Sequence, residues 1–283
     1  MSANRTARER IARDTLRIID DGGYVAPNGE QVDLSAPLAR CLERTRHLDA
    51  EAVGRIIETQ RGAAGTHTTR IEVANETTLA GLAALLAQDD APVAVLNFAS
   101  AKHPGGGFLG GSQAQEESLA RSSALYASLS RCMAFYDLHR ASSSLLYSDA
   151  IIVSPDCPVF RDDDGTLLDA PRLAGFLTCA APNAGAIAQN RPEESPRIAA
   201  TFHRRIEGVL AVAAEHGYRR LVLGAWGCGV FRNDPAMVAA AFADHLLHGA
   251  WRGRFETIRF SVLDGSRDLA IFEAFRRALP TSE

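Results

Sequence analysis

The chain has no run of eighteen apolar residues, so its sequence offers no membrane span. It lacks GxxxxGK[ST], GxSxG and HExxH, the signatures of a phosphate loop, a serine-hydrolase elbow and a zinc protease. Cysteine is sparse. Cys41, Cys132, Cys157, Cys179 and Cys228 are odd in number, widely spaced and form no CxxC pair. That pattern argues against a disulfide framework or a zinc cage and predicts reduced, mostly buried thiols in a cytoplasm. The eight histidines are scattered, so no metal site and no cofactor are expected. Positive charge is also short. A net charge of -4 over 283 residues argues against a general nucleic-acid binder, although a local cationic pocket for one small polyanion stays open. The opening MSANRTARER has no signal-peptide apolar stretch. With 46% hydrophobic and 23% charged residues, the expectation is a soluble α/β protein with ample core.

Residues 5–19 read as a charged helix ended by Asp21-Gly22-Gly23, and 50–60 and 78–88 as two more helices, with a strand over 68–73. From residue 92 short apolar runs appear at 92–98, 150–153, 175–180, 221–223 and 258–263. Between them lie helical stretches, placed at 114–129, 196–216, 234–248 and 266–279. Buried strands alternating with helices predict a sheet flanked by helices on both faces. The division expected is a helical extension over 1–64 packed on a core domain of 65–283. In such folds ligands sit beyond the carboxyl ends of the strands.

Two turns at those ends are rich in glycine. The first, after Asn97-Phe98, runs AKHPGGGFLGG, with glycine at five of the seven positions from 105 to 111. Glycine is entropically costly, so such a run suggests positive φ, a close ligand approach, or an anion-binding set of backbone amides. A flexible surface hairpin is the plain alternative. The second, after 221–223, is Gly224-Ala225-Trp226-Gly227-Cys228-Gly229-Val230-Phe231-Arg232-Asn233-Asp234-Pro235. Asp234 and Pro235 can cap and start a helix there, and a glycine loop entering a helix can hold phosphate. It lacks the third glycine of the dinucleotide fingerprint. Together the turns suggest a diphosphate held largely by backbone amides.

Directly after the first turn comes Gln115-Glu116-Glu117. Carboxylates in a first helical turn commonly serve the helix dipole. Beside a diphosphate loop they have a second use, and neighbouring helical residues point about 100° apart. One carboxylate can then hold ribose hydroxyls while the other faces a scissile bond as general acid/base. Cys228 reads better as packing than as a nucleophile. Lys102 can touch a phosphate or be simply solvated, and Phe231 can stack on a ligand or be buried.

Gly105-Gly106-Gly107, seven further residues and then Gln115-Glu116-Glu117 resemble the GGG-x(6–8)-QEE signature of poly(ADP-ribose) glycohydrolases. Stretches at 97–100, 154–162, 180–183 and 227–234 resemble the bacterial, microbial-type branch, so the likeness covers about residues 92–264. The resemblance implies a macrodomain-like mixed sheet with an ADP-ribose cleft. It implies Glu117 as catalytic acid/base and Glu116, with Gln115 beside it, positioning the terminal riboses. Asn97 would contact the distal ribose. Gly105, Gly106 and Gly107 would wrap the diphosphate from one side, and Gly227, Cys228, Gly229 and Val230 from the other, with Phe231 stacking near the distal ribose. The implied partners are ADP-ribose, poly(ADP-ribose) and ADP-ribosylated carrier proteins, in a DNA-damage setting, with cleavage mainly from chain ends. The adenine-contacting residue has no comparable motif.

Two other classes remain in view. A non-catalytic ADP-ribose-binding module would gain nothing from two carboxylates beside a polyanion. A mono-ADP-ribosyl hydrolase would share the cleft but act on a smaller substrate.

Overall fold

Capping residues set the first element. Asn4 accepts the Ala7 N–H at 2.9 Å and starts α1 (Arg5–Asp21), which stops where Gly22 turns left-handed at φ +69°. The computed structural model describes residues 4–279. After α1 come a hairpin of β1 (Gly23–Val25) and β2 (Gln31–Asp33), then α2 (Ser35–Arg44), β3 (Arg46–Leu48) and α3 (Ala50–Arg61). Next follow β4 (Arg70–Ala74), α4 (Thr78–Leu86) and β5 (Val93–Phe98). A glycine-rich loop leads to α5 (Gln115–Ser122), α6 (Leu125–Leu129) and α7 (Met133–Ala141). A long hairpin of β6 (Ile151–Arg161) and β7 (Leu167–Cys179) precedes α8 (Ala184–Asn190) and α9 (Ile198–Glu215). The chain continues through β8 (Arg220–Leu223), α10 (Pro235–Ala243), β9 (Thr257–Ser261) and α11 (Ala270–Ala278).

Seven strands form one mixed sheet in the order β3-β6-β7-β5-β8-β9-β4. The five strands from β7 to β4 run parallel, whereas β6 is antiparallel to both β7 and β3. Burial on both faces explains the unbroken apolar runs. Along β5, Ala94 and Leu96 join the core under α9 and α10, while Val93 and Val95 join the core under α4, α5 and α6. β8 repeats this with Leu221 and Leu223 on one face and Val222 on the other. The expected α/β class is thus the observed one.

Four expected elements differ in extent. The helix expected over 114–129 is broken, because Ser123 is extended and bridges Val159 of β6, and the Ala124 N–H donates to Pro158 O at 3.0 Å. The strands expected at 150–153 and 175–180 are the open ends, away from the turn, of a much longer hairpin. The helix expected over 234–248 is regular only to Ala243 and ends in a π turn at Asp244–His248. Within the first 64 residues, β3 pairs with β6 as the outermost strand of the main sheet.

Candidate active site

The carboxyl ends of β5, β8, β9 and β4 share one edge of the sheet, and the loops leaving them enclose a cleft of about 910 Å³. That volume suits a ligand of nucleotide size. Gly106, Gly107 and Glu117 line one wall, Gly227, Gly229 and Phe231 the other. Ser261, Leu263 and Ile271 also line the cleft.

The first wall is built around the N-terminus of α5. The Gln115 amide ties it down: its Oε1 accepts the Phe98 N–H at 2.9 Å, and its Nε2 donates to Leu96 O at 2.8 Å and to Thr78 Oγ1 at 3.2 Å. With Gln115 locked to the end of β5, the next two side chains must diverge. Glu116 turns inward and is 2% exposed. It accepts the Ser100 N–H at 2.6 Å and the Asn97 Nδ2 at 3.2 Å. Glu117 stays at the cleft wall, where its Oε1 accepts the Gly107 N–H at 2.9 Å.

Gly106 explains why this loop needs glycine. Its φ is +59°, and a Cβ there would lie 2.4 Å from Glu117 Oε1. The backbone therefore lies against the carboxylate, and any side chain would displace it. On the other flank Arg121 donates to Ser112 O at 2.7 Å and to Gln113, holding the far end of the loop. Burial, aided by the neighbouring Arg8 charge, pushes the Arg121 guanidinium down to about 10, which leaves it cationic at neutral pH. Helix α1 clamps the same segment, with Arg8 Nε donating to Gly111 O at 2.7 Å and Arg5 Nε to Gly110 O at 3.0 Å.

The two carboxylates are electrostatically unlike. Burial pushes Glu116 up to about 8, the charge of Glu117 adds to the rise, and the Ser100 and Asn97 donors offset only part of it. At neutral pH Glu116 is mostly a neutral acid. Asn97 Oδ1 has no partner among the described residues, while Nδ2 reaches both Glu116 and Thr178 Oγ1. Turning that amide over sets Oδ1 against both groups, where it accepts from a protonated Glu116.

The glycine loops, expected to act alike, differ. In the first, the Gly106, Gly107 and Ser112 N–H groups donate within the segment, to His103 O, Glu117 and Gly107 O. It contributes closeness and a carboxylate. In the second, the N–H groups of Gly227, Gly229, Val230 and Phe231 have no acceptor among the described residues. They form the concavity suited to a diphosphate. Asn233 shapes it, donating from Nδ2 to Pro182 O at 2.8 Å and Gly227 O at 2.9 Å. Asp234 caps α10 through the Ala236 N–H at 3.0 Å, with Pro235 following as expected.

Several residues expected to touch ligand are set back. Asn97 is fully buried behind Glu116. Gly105 faces Phe108, Ala120 and Tyr126 on the reverse of its loop. Gln115 borders the cleft, but its amide is engaged in the three bonds given above. Cys228 is buried, its thiol donates to Trp226 O at 3.7 Å, and burial pushes it up to about 12, so it is packing rather than a nucleophile. Phe231 does line the cleft, packed on Tyr147 with ring centroids 6.3 Å apart. Sequence reading overlooked Ser100, Asn233 and α1. Their roles depend on contacts distant in the chain. No group of three or more His, Cys, Asp or Glu suited to a metal occurs among the described residues.

A mixed sheet whose parallel edge carries an amide-lined glycine turn opposite a glutamate held on a second glycine turn defines a macrodomain-like hydrolase. The catalytic domain of microbial-type PARG, poly(ADP-ribose) glycohydrolase, matches residues 12–162. The glycohydrolase from Thermomonospora curvata is 47% identical over 96% of this chain and 99% of that one, with a TM-score of 0.92. The same enzyme bound to the inhibitor ADP-HPD is 46% identical over 96% and 99%, at 0.90. The Deinococcus radiodurans glycohydrolase in complex with ADP-ribose is 48% identical over 85% and 96%, at 0.81. No curated protein sequence matches significantly. The chain belongs to the microbial-type poly(ADP-ribose) glycohydrolases, and it is a glycosidase acting on the O-glycosidic bonds of that polymer.

Proposed function

We propose that this enzyme removes ADP-ribose units mainly from the ends of poly(ADP-ribose) chains, with Glu117 as its acid/base. The observation that carries the role of Glu117 is its placement: an oxygen fixed by the Gly107 N–H, facing a glycine that leaves no side chain in the way. In this reading the N–H groups of Gly227, Gly229 and Val230 receive the diphosphate and Phe231 packs near the distal ribose. Gly106 and Gly107 close on the diphosphate from the other side. Glu116 positions the terminal ribose, while Asn97, Gly105, Gln115 and Cys228 act one layer back by holding those groups.

The bond to be cut is an acetal between two riboses. Glu117 in its acid form gives its proton to the leaving oxygen, and the anomeric carbon takes on oxocarbenium character as that bond breaks. The carboxylate left behind takes a proton from the attacking water, whose oxygen bonds to the anomeric carbon. The substrate's diphosphate, pressed near the ring between the two glycine turns, stabilises the positive charge. This accounts for a single acid/base where most glycosidases use two carboxylates.

Residues 65–283 carry the groups of this reaction, and residues 1–64 act as an extension that braces them. ADP-ribosylated proteins serve as polymer carriers. Five free and buried cysteines support a reducing, cytoplasmic setting, and the DNA-damage context comes with the family resemblance. The deciding experiment compares wild type with Glu117→Gln on automodified poly(ADP-ribose). The variant should lose roughly 10²–10⁴-fold in kcat while retaining ADP-ribose binding. Turnover near the wild-type rate would remove Glu117 from the chemistry.

A further inference from the structure

Poly(ADP-ribose) carries a diphosphate in every repeat. When the terminal unit occupies the cleft, the next unit's diphosphate lies on the leaving-group side of the scissile bond, beyond Glu117. On the glycohydrolase reading we take the rim at that end to be the segment 99–104, which is fastened to Glu116 and to the turn beside Glu117. Ser100 donates its N–H to Glu116 at 2.6 Å, and its Oγ accepts the Lys102 N–H at 3.4 Å and the His103 N–H at 3.3 Å. His103 lines the cleft, and its carbonyl accepts the Gly106 N–H at 3.0 Å, next to the Glu117 carboxylate. From α7, Arg140 donates to Lys102 O at 2.5 Å and to Asp137 at 2.5 Å.

This short rim thus gathers three nitrogen-bearing side chains, all exposed. No carboxylate pairs with the Lys102 ammonium among the described residues. Lys102 is also the single lysine among thirty basic residues. Arginine favours a fixed, two-pronged geometry, whereas a lysine is a point charge on a flexible stem and can follow a phosphate that shifts as the polymer shortens.

We propose that Lys102, His103 and Arg140 form a second anion subsite that receives the diphosphate of the adjoining ADP-ribose unit on the leaving-group side. The proposal rests on the glycohydrolase reading and extends it from the terminal unit to its neighbour. Free ADP-ribose has no second diphosphate, so the subsite draws in polymer without retaining product.

The test uses the full chain with two substrates: long poly(ADP-ribose), and an aryl glycoside of ADP-ribose whose leaving group carries no phosphate. Removing one exposed ion pair corresponds to roughly a two- to fivefold change, so Lys102→Glu should raise the polymer KM by about three- to tenfold. The aryl glycoside KM should move by less than about twofold, and the salt dependence of the polymer KM should weaken. Lys102→Arg, which keeps the charge but not the flexible point-charge geometry, should recover the polymer KM in part. Equal loss on both substrates would mean a distorted loop and would overturn the subsite, as would no change on either. A wild type that cleaves neither substrate would overturn the glycohydrolase reading, and the subsite with it.

Discussion

Glu116 and Glu117 are adjacent and chemically identical, yet the fold gives them opposite surroundings. One is sealed behind the cleft wall, and the other is held at its surface by a backbone N–H. Because burial raises Glu116 to about 8 from its ordinary 4.5, between these values the folded protein holds a proton that the unfolded chain has released. The stability linked to that proton is fully present below about 4.5 and is lost as pH rises through about 8. Thermal melts of wild type and Glu116→Gln should therefore diverge across this window, with wild type losing ground as pH rises and no further divergence above it. A gap that stayed constant with pH would show that Glu116 ionises normally. The motif QEE could be read directly, because three residues in a row carry it. Helix geometry and the family resemblance also point to a division of labour, but the burial that separates the two carboxylates could not be read, since it depends on Asn97, Thr178 and Ser100 meeting around one carboxyl group.

At the scale of elements, α5 and the glycine loop before it act as one device. Gln115 ties the helix to β5, Arg121 ties it back to Ser112, and Gly106 lies against Glu117. Gly106→Ala should move the carboxylate rather than unfold the protein, because the clash is with a side-chain oxygen at 2.4 Å. With Glu117 as the proposed acid/base, a displacement of about 1 Å costs on the order of 10²-fold, which is the drop in kcat expected, together with a modest fall in Tm from the left-handed backbone. A Gly106→Ala enzyme with wild-type kcat would show that this approach is not needed. Sequence reading located both glycine turns and most strands, since apolar runs and turn residues are local signals. It merged α5 with α6, because the Ser123–Val159 bridge is fixed by a strand far along the chain. It also assigned both loops to amide binding, because the sequence does not show which N–H groups find partners inside their own turn.

For the molecule as a whole, the question is whether the first 64 residues are an accessory or part of the folding unit. Their helical stretches were legible, but β3 is only three residues long and its strand character comes from pairing with β6. The contacts are spread over both faces of the sheet. Val53 belongs to one core cluster, and Ile18, Tyr24, Leu34 and Cys41 to the other. Thr15 Oγ1 donates to Arg121 O at 2.6 Å, Arg61 pairs with Glu207, and Arg254 donates to Gln60 O at 2.6 Å. Deleting residues 1–64 would bare the β6 edge and expose those buried apolar surfaces, each fully buried side chain being worth about 1.5–3 kcal/mol. Since folded domains are stable by only about 5–15 kcal/mol, the loss exceeds what the remainder can absorb. The intact chain should unfold in one cooperative transition by calorimetry, and a 65–283 fragment should show no such transition and no ADP-ribose binding. A smaller deletion of residues 1–22 separates bracing from folding. It removes the Arg5 and Arg8 contacts to the glycine loop but keeps β3, so it should remain folded with a lowered Tm and reduced kcat. If the 65–283 fragment melted cooperatively and cut polymer at the wild-type rate, the extension would be dispensable and its bracing of the glycine loop incidental.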